Sequence, residues 1–297
     1  MKKYQADFGL LLVGFIWGTG FIASKIGLDG GLSPYYMMFL RAMFASIFLT
    51  IIFFREIINI RKREIIAGVL LGTFLYLGFT FQTVGLAYTT VSKNAFLTAI
   101  NVVIVPYLYW MFYKKKPDKF AILSAILCLS GIGLLSLTGG DMGVNKGDIL
   151  TAICAVFFGC HITFTGILSK KVDAVRLNLL QIYTMAAFAL ITCLFNNSLV
   201  FHLTQTQFLS ALYLGIFSTG ICFLLQTTCQ QYTTPARASI LLCTESLFGA
   251  VLSFLIFHEI LTTKAIIGAG LILFSVIVSE TKLGFGKNID LIKKETE

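Results

Sequence analysis

A single carboxylate, Glu245, lies deep in the apolar run 236–258, and Asn101 occupies the matching depth of the run 91–113. A charge near the centre of a bilayer is costly unless it faces a partner or water, so such an acid points to cation binding or proton exchange. Its plainer alternative is a hydrogen bond that fastens neighbouring helices. His161 is a second proton-exchanging group, because imidazole titrates near neutral pH, and a structural hydrogen bond is again the alternative. Trp17 falls mid-span, away from the interfaces where tryptophan collects. With Phe21 one turn later and Phe158 at the corresponding place further on, it either lines an aromatic pocket able to hold a cation or packs. Gln82 and Gln226, 144 positions apart, add polar contacts. Arg41 compensates an acid or a ligand carboxylate, or snorkels outward. Asn94, Thr98 and Asn101 recur at helical spacing and share one face, where interhelical hydrogen bonding is the other reading.

These residues form no catalytic set. No nucleophile stands with a base, and no His or Cys recurs at metal spacing, so no catalytic role, metal or cofactor is expected. The seven cysteines fall in apolar runs without a CxxC pair and read as small core residues.

The elements that must position these groups follow from composition. The 297 residues are 57% hydrophobic and 12% charged, far from the roughly one-quarter charged of soluble domains. Ten apolar runs appear, at 8–28, 34–54, 65–87, 91–113, 119–138, 148–169, 177–195, 208–231, 236–258 and 263–281. Their length suits membrane helices and not the short alternating strands of a barrel. The first run follows a basic start but is too long, and lacks the cleavage site, to be a signal peptide. The expectation is an all-α integral membrane protein of ten transmembrane helices.

The chain also repeats itself. YTTVSKNAFL at 88–97 returns as YTTPARASIL at 232–241, and DFGLLLVGFIWG at 7–18 aligns with DILTAICAVFFG at 148–159. A first five-helix repeat over 1–139, a second over 140–283 and a cytoplasmic tail over 284–297 follow. Eighteen of the 23 Lys and Arg residues fall on one side if both termini are cytoplasmic, which satisfies the positive-inside rule. The excess of positive charge therefore reflects orientation and not nucleic-acid binding. Five crossings per repeat turn the second copy upside down, and loop charges agree. The loop after the second run carries Arg55, Arg61, Lys62 and Arg63, whereas its counterpart NNSLVFHLTQTQ has neither Lys nor Arg. Inverted repeats are the construction of secondary carriers, with a midplane site exposed to each side in turn.

FGLLLVGFIWGTGFIASK near the start and TESLFGAVLSFLIFHEILTTKAIIGAGLILFSV near the end carry a resemblance over residues 7–283 to the drug/metabolite transporter superfamily, in its EamA-type ten-helix branch. Trp17 with Gly18 and the Glu245, Glu259, Gly268 spacing are its most specific parts. The chain departs from the family where Glu-Pro is replaced by Glu245-Ser246, and where the first-repeat mate of Glu259 is Lys115. The resemblance implies an exporter or permease of amino acids, related metabolites or drugs, in a plasma membrane, with a cavity between two bundles. Trp17, Phe21, Gln82, Asn101, Phe158, His161, Gln226 and Glu245 are the expected substrate-binding residues, with proton coupling open through Glu245. An intramembrane enzyme and a non-transporting sensor or channel are the rival readings; substrate and oligomeric state are not legible. Asp7 and Asp148 are expected to be N-caps, and Pro106 is expected to kink the fourth helix without a matching kink in the ninth.

Overall fold

The structure, a computed structural model, describes residues 3–114, 116–136, 145–199, 202–257 and 263–281. Lys115 and Glu259, the repeat boundary at 139–140 and the tail 284–297 lie outside the described residues. Among those described, every regular element is helical. In chain order they are α1 (Lys3–Asp29), α2 (Pro34–Ile57), α3 (Lys62–Leu86), α4 (Val91–Thr98), α5 (Asn101–Tyr113), α6 (Lys119–Ser136) and α7 (Lys146–Leu168). After these come α8 (Ala174–Phe195), α9 (Gln205–Tyr213), a π-helical stretch (Leu214–Ile221), α10 (Cys222–Cys229) and a 3₁₀ turn (Gln230–Tyr232). The last are α11 (Pro235–Leu242), α12 (Thr244–Phe257) and α13 (Thr263–Thr281).

Among the described residues, seven helical stretches are long and apolar enough to cross a membrane, one formed by α4 with α5 and one running from α9 through the 3₁₀ turn. Lys119–Leu134 of α6 and Ile266–Ser279 of α13 are shorter apolar helices. The run 236–258 is divided between α11 and α12. The protein is thus an all-helical integral membrane protein among its described residues. Its surface is oily, with Phe8, Ile51, Phe54, Ile66, Ile126 and Ile267 pointing out, while Asn94, Asn178, Gln181 and Gln226 are fully buried. Hydrocarbon outside and polar groups inside is the arrangement a bilayer imposes, because a polar side chain finds hydrogen bonds only among its own helices.

The repeated phrase has a local cause. Thr90 and Thr234 cap α4 and α11, their side chains accepting hydrogen bonds from the backbone of Lys93 and Arg237. Each short helix then breaks at the same place. After α4 the chain turns through Ala99 and Ile100, and after α11 through Cys243, 144 positions beyond Ala99. The break is bridged by matching bonds, Val102 N to Ala99 O at 3.0 Å and Ser246 N to Cys243 O at 3.2 Å. The expected asymmetric kink at Pro106 is therefore corrected. Pro106 sits inside α5 beyond the break, and the second interruption forms although Ala250 stands where Pro106 does in the first. The two breaks meet, with Cys243 Sγ 3.9 Å from the carbonyl of Ala99.

Around this meeting point α3 runs along α7 and α8, α2 along α8, α1 along α10 and α12, and α6 along α13. The α1–α12 approach depends on Gly18. A Cβ there would lie 2.8 Å from the Gly249 nitrogen and 2.9 Å from the Glu245 carbonyl oxygen, both backbone atoms that cannot swing aside. Gly18→Ala should destabilise the protein by about 1–3 kcal/mol through this overpacking. Gly270→Ala, where nothing lies within 4 Å of the added carbon, should be neutral or slightly stabilising. Thermal unfolding in detergent separates the two; equal shifts would contradict the close approach.

Candidate functional site

The broken helices set the site. Asn101 opens α5 and Glu245 lies in the first turn of α12, so both face the cavity from half-helix N-termini, where free backbone N–H groups and the helix dipole favour negative charge. Glu245 is 7% exposed and has no hydrogen bond or ion pair among the described residues. Its oxygens are absent from the fully enclosed, unbonded atoms, so they open onto the cavity. The Asn101 amide instead donates to the Thr98 carbonyl at 2.8 Å.

The cavity is lined by all eight residues expected from the sequence, Trp17, Phe21, Gln82, Asn101, Phe158, His161, Gln226 and Glu245, contributed by α1, α3, α5, α7, α10 and α12. The aromatic side is a cluster in which Phe79 meets Phe158 edge-on at 5.1 Å and Phe223 at 5.7 Å, with Trp17 5.2 Å from Phe223.

The polar residues divide into tied and open. His161 Nε2 lies 2.9 Å from Gln181 Oε1, and since an amide oxygen only accepts, the imidazole donates. Gln181 in turn donates to Asn178 and Thr227. That network fixes His161 as a fastener between α7 and α8. Gln82 donates to Thr98 at 3.2 Å and Gln226 to Gln230 at 3.4 Å. Asn94, fully buried, donates to Thr151 and to the Gln82 carbonyl and so joins α4 to α7 and α3. The Trp17 indole donates to the Ser218 carbonyl at 2.9 Å, an acceptor within the π-helical stretch.

Further residues line the cavity beyond the expected set, among them Arg41, Phe79 and Phe223. Arg41, for which the sequence also allows an outward snorkel, is 3% exposed and lines the cavity. Phe79 and Phe223 carried a signal that passed unused, because they stand 144 positions apart just as Gln82 and Gln226 do. The expectation that Asp7 and Asp148 are N-caps is corrected. Asn145 caps α7, with Asp148 three residues on completing a capping box, and Asp148 also accepts from Thr89 at 2.6 Å and pairs with Lys93 at 3.8 Å. Asp7 lies inside α1 and pairs with Arg237 at 2.7 Å.

Comparison with known proteins bears on this geometry. The model of the EamA-like transporter family matches residues 5–137 and again 145–281. An uncharacterized transporter of Archaeoglobus fulgidus is 34% identical over 278 residues, covering 94% of this chain and 86% of that protein. The uncharacterized transporter YoaV of Bacillus subtilis is 22% identical over 280 residues, covering 91% and 95%. A solved crystal structure superimposes with a TM-score of 0.80 at 15% identity, covering 94% of this chain and 99% of the other, which shows a shared fold.

The division into tied and open groups predicts stability. Glu245→Gln removes no hydrogen bond and should leave the unfolding temperature in detergent nearly unchanged. His161→Ala strands the buried Gln181 oxygen and should cost about 1–3 kcal/mol. A Gln variant as unstable as the Ala variant would mean that Glu245 is a fastener too.

Proposed function

The chain belongs to the EamA-like transporter family, and we propose that it carries a small organic metabolite, such as an amino acid or amine, across a plasma membrane by exposing one cavity to each side in turn. On this reading ten helices form two inverted five-helix repeats with both termini cytoplasmic. Membership in the family already implies a bilayer and a small-molecule substrate, and sets the chain with transporters and not enzymes. Substrate class and mechanism are the part proposed.

The observation that carries alternating access is a pair of ion pairs. Asp7 with Arg237, and Lys93 with Asp148, each join a residue of the first family match to one of the second. They are also counterparts, Arg237 lying 144 positions after Lys93 and Asp148 lying 141 after Asp7. They sit at opposite ends of α7. Asp148 is in its first turn, whereas the segment leading to Arg237 is bound to its other end by Gln231 on the Ser169 carbonyl at 2.6 Å and Lys170 on the Thr233 carbonyl at 2.9 Å. A 23-residue helix separates its ends by about 35 Å. One pair thus latches the two halves at each mouth, and all four side chains are 10–16% exposed, where attraction is less screened than at a free surface. With both latches formed, the cavity between them is held from both ends, as an intermediate of such a cycle requires. Releasing one latch opens one side. Glu245, open to the cavity, is the group suited to bind a cation or to exchange a proton during the cycle.

The test follows from the latches acting oppositely. A cysteine replaces Ser24, which lines the cavity, in a protein whose seven native cysteines are changed to serine, and an impermeant thiol reagent is applied from either side. Arg237→Gln should raise labelling from the cytoplasmic side and lower it from outside; Lys93→Gln should do the reverse. A bias of about 0.7–1.4 kcal/mol corresponds to a threefold to tenfold change. Changes in the same direction in both variants would contradict alternating access through these latches.

A further inference from the structure

Among the described residues, Arg41 is a cation with an unusual set of partners. Its guanidinium donates from Nε to Thr219 Oγ1 at 3.0 Å and from Nη2 to Ser218 Oγ at 3.4 Å, and lies 3.9 Å over the ring of Phe79. All of these are neutral. Arg176 and Arg237, by contrast, each hold carboxylates. No carboxylate lies within ion-pair distance of Arg41 among the described residues, and its Nη1 makes no hydrogen bond there without being fully enclosed. That edge of the fork faces the cavity it lines.

The seat is built for it on one side of the protein only. Ser218 and Thr219 belong to the π-helical stretch Leu214–Ile221, and wide turns of this kind recur at functional sites because they re-aim side chains and carbonyls. The corresponding positions in α3, 144 residues earlier, are Phe74 and Leu75 within an uninterrupted α-helix. The α2 backbone is pressed against the same stretch, since a Cβ on Gly215 would stand 3.0 Å from the Arg41 carbonyl oxygen. A guanidinium held over a ring and fixed by two hydroxyls is preorganised, and its free edge matches a planar two-oxygen anion. Burying a cation without a counter-charge is unfavourable, and an anion carried by the ligand would supply one.

We infer that Arg41 recognises an anionic group of the transported molecule, in the first place a carboxylate, and so decides against cargo that lacks one. The inference rests on the transporter reading and narrows it: a plain amine is a poor cargo, and a molecule bearing both signs engages Arg41 and Glu245 at once. The two side chains line one cavity without pairing with each other, leaving both for the ligand.

The experiment uses the full chain in detergent and ligand-induced thermal stabilisation as the readout, which needs no flux. The probes are L-leucine, its decarboxylated amine isoamylamine and its deaminated acid isocaproate, with the corresponding triads of the other common L-amino acids. The expected result is that the stabilising probes carry a carboxylate and bind at least about tenfold more tightly than the matching amines, the tenfold reflecting loss of one charge-assisted contact. Arg41→Gln should reduce that ratio to about one, and Arg41→Lys, which keeps the charge but loses the fork, should leave an intermediate ratio. If Arg41→Gln does not fold, Thr219→Val, which frees the guanidinium from its orienting hydroxyl, should lower the same ratio. A merely structural arginine would change stability without changing the ratio. Amines binding the parent as well as the amino acids do, or a ratio unaltered by Arg41→Lys and Thr219→Val, would overturn the inference while leaving the transporter reading intact. Stabilisation by none of the probes would instead count against the cavity as a site for metabolites of this class, and against this inference with it.

Discussion

Hydrocarbon supplies no hydrogen bonds, and that one constraint organises the protein. A polar side chain drawn into the bundle finds partners only among the helices, and the amides and the imidazole that tie helix to helix do so, while hydroxyls such as those of Thr163 and Ser246 make no hydrogen bond among the described residues. Asn94 reaches Thr151 and the Gln82 carbonyl, His161 reaches Gln181, and Gln230 reaches the Ile162 carbonyl. Those satisfied networks hold α3, α4, α7 and α8 in place. The carboxyl of Glu245 and the guanidinium of Arg41 differ from these groups in being ionisable, without an ion-pair partner among the described residues, and set on one cavity. An unpaired guanidinium in a buried site is unfavourable to fold around, which is why the proposed ligand is the natural account of it.

The interruptions in the fourth and ninth apolar runs serve the same end. A continuous helix would bury its backbone groups along its whole length, whereas the matched breaks at Ala99–Ile100 and Cys243 bring two half-helix N-termini to the cavity wall. The small side chains at the break, Ala99 and Cys243, let the two interruptions touch. Gly18 lets α1 close over α12 beside Glu245. From this centre α7 runs out to both ion pairs between the repeats, Lys93 with Asp148 at its first turn and Asp7 with Arg237 toward its other end.

Much of this was legible before any coordinate. Depth within an apolar run and polar character were enough to single out Trp17, Asn101, His161 and Glu245, because a membrane leaves few reasons to keep such residues inside. The 144-residue offset located Gln82 and Gln226, and would have located Phe79 and Phe223 had it been applied to aromatic residues. Three features were not legible. Pro106 drew attention from the true break, which follows from packing at a position with no helix-breaking residue. Asp7 and Asp148 looked like caps because the partners that claim them, Arg237 and Lys93, are distant in sequence. The π-helical turn at Leu214–Ile221 has an ordinary apolar sequence, and only its contacts with Trp17 and Arg41 show what it positions.

A carrier of the proposed kind offers one site to the two sides alternately. Counterflow in proteoliposomes addresses this directly: vesicles preloaded with an unlabelled amino acid are placed in a trace of the same labelled compound and the label inside is followed over time. A carrier that returns loaded predicts a transient accumulation of label above its equilibrium level, saturating with concentration. Uptake that rises only to equilibrium and stays linear in concentration, at a rate indifferent to the preload, would describe an open pore and contradict the alternating cavity.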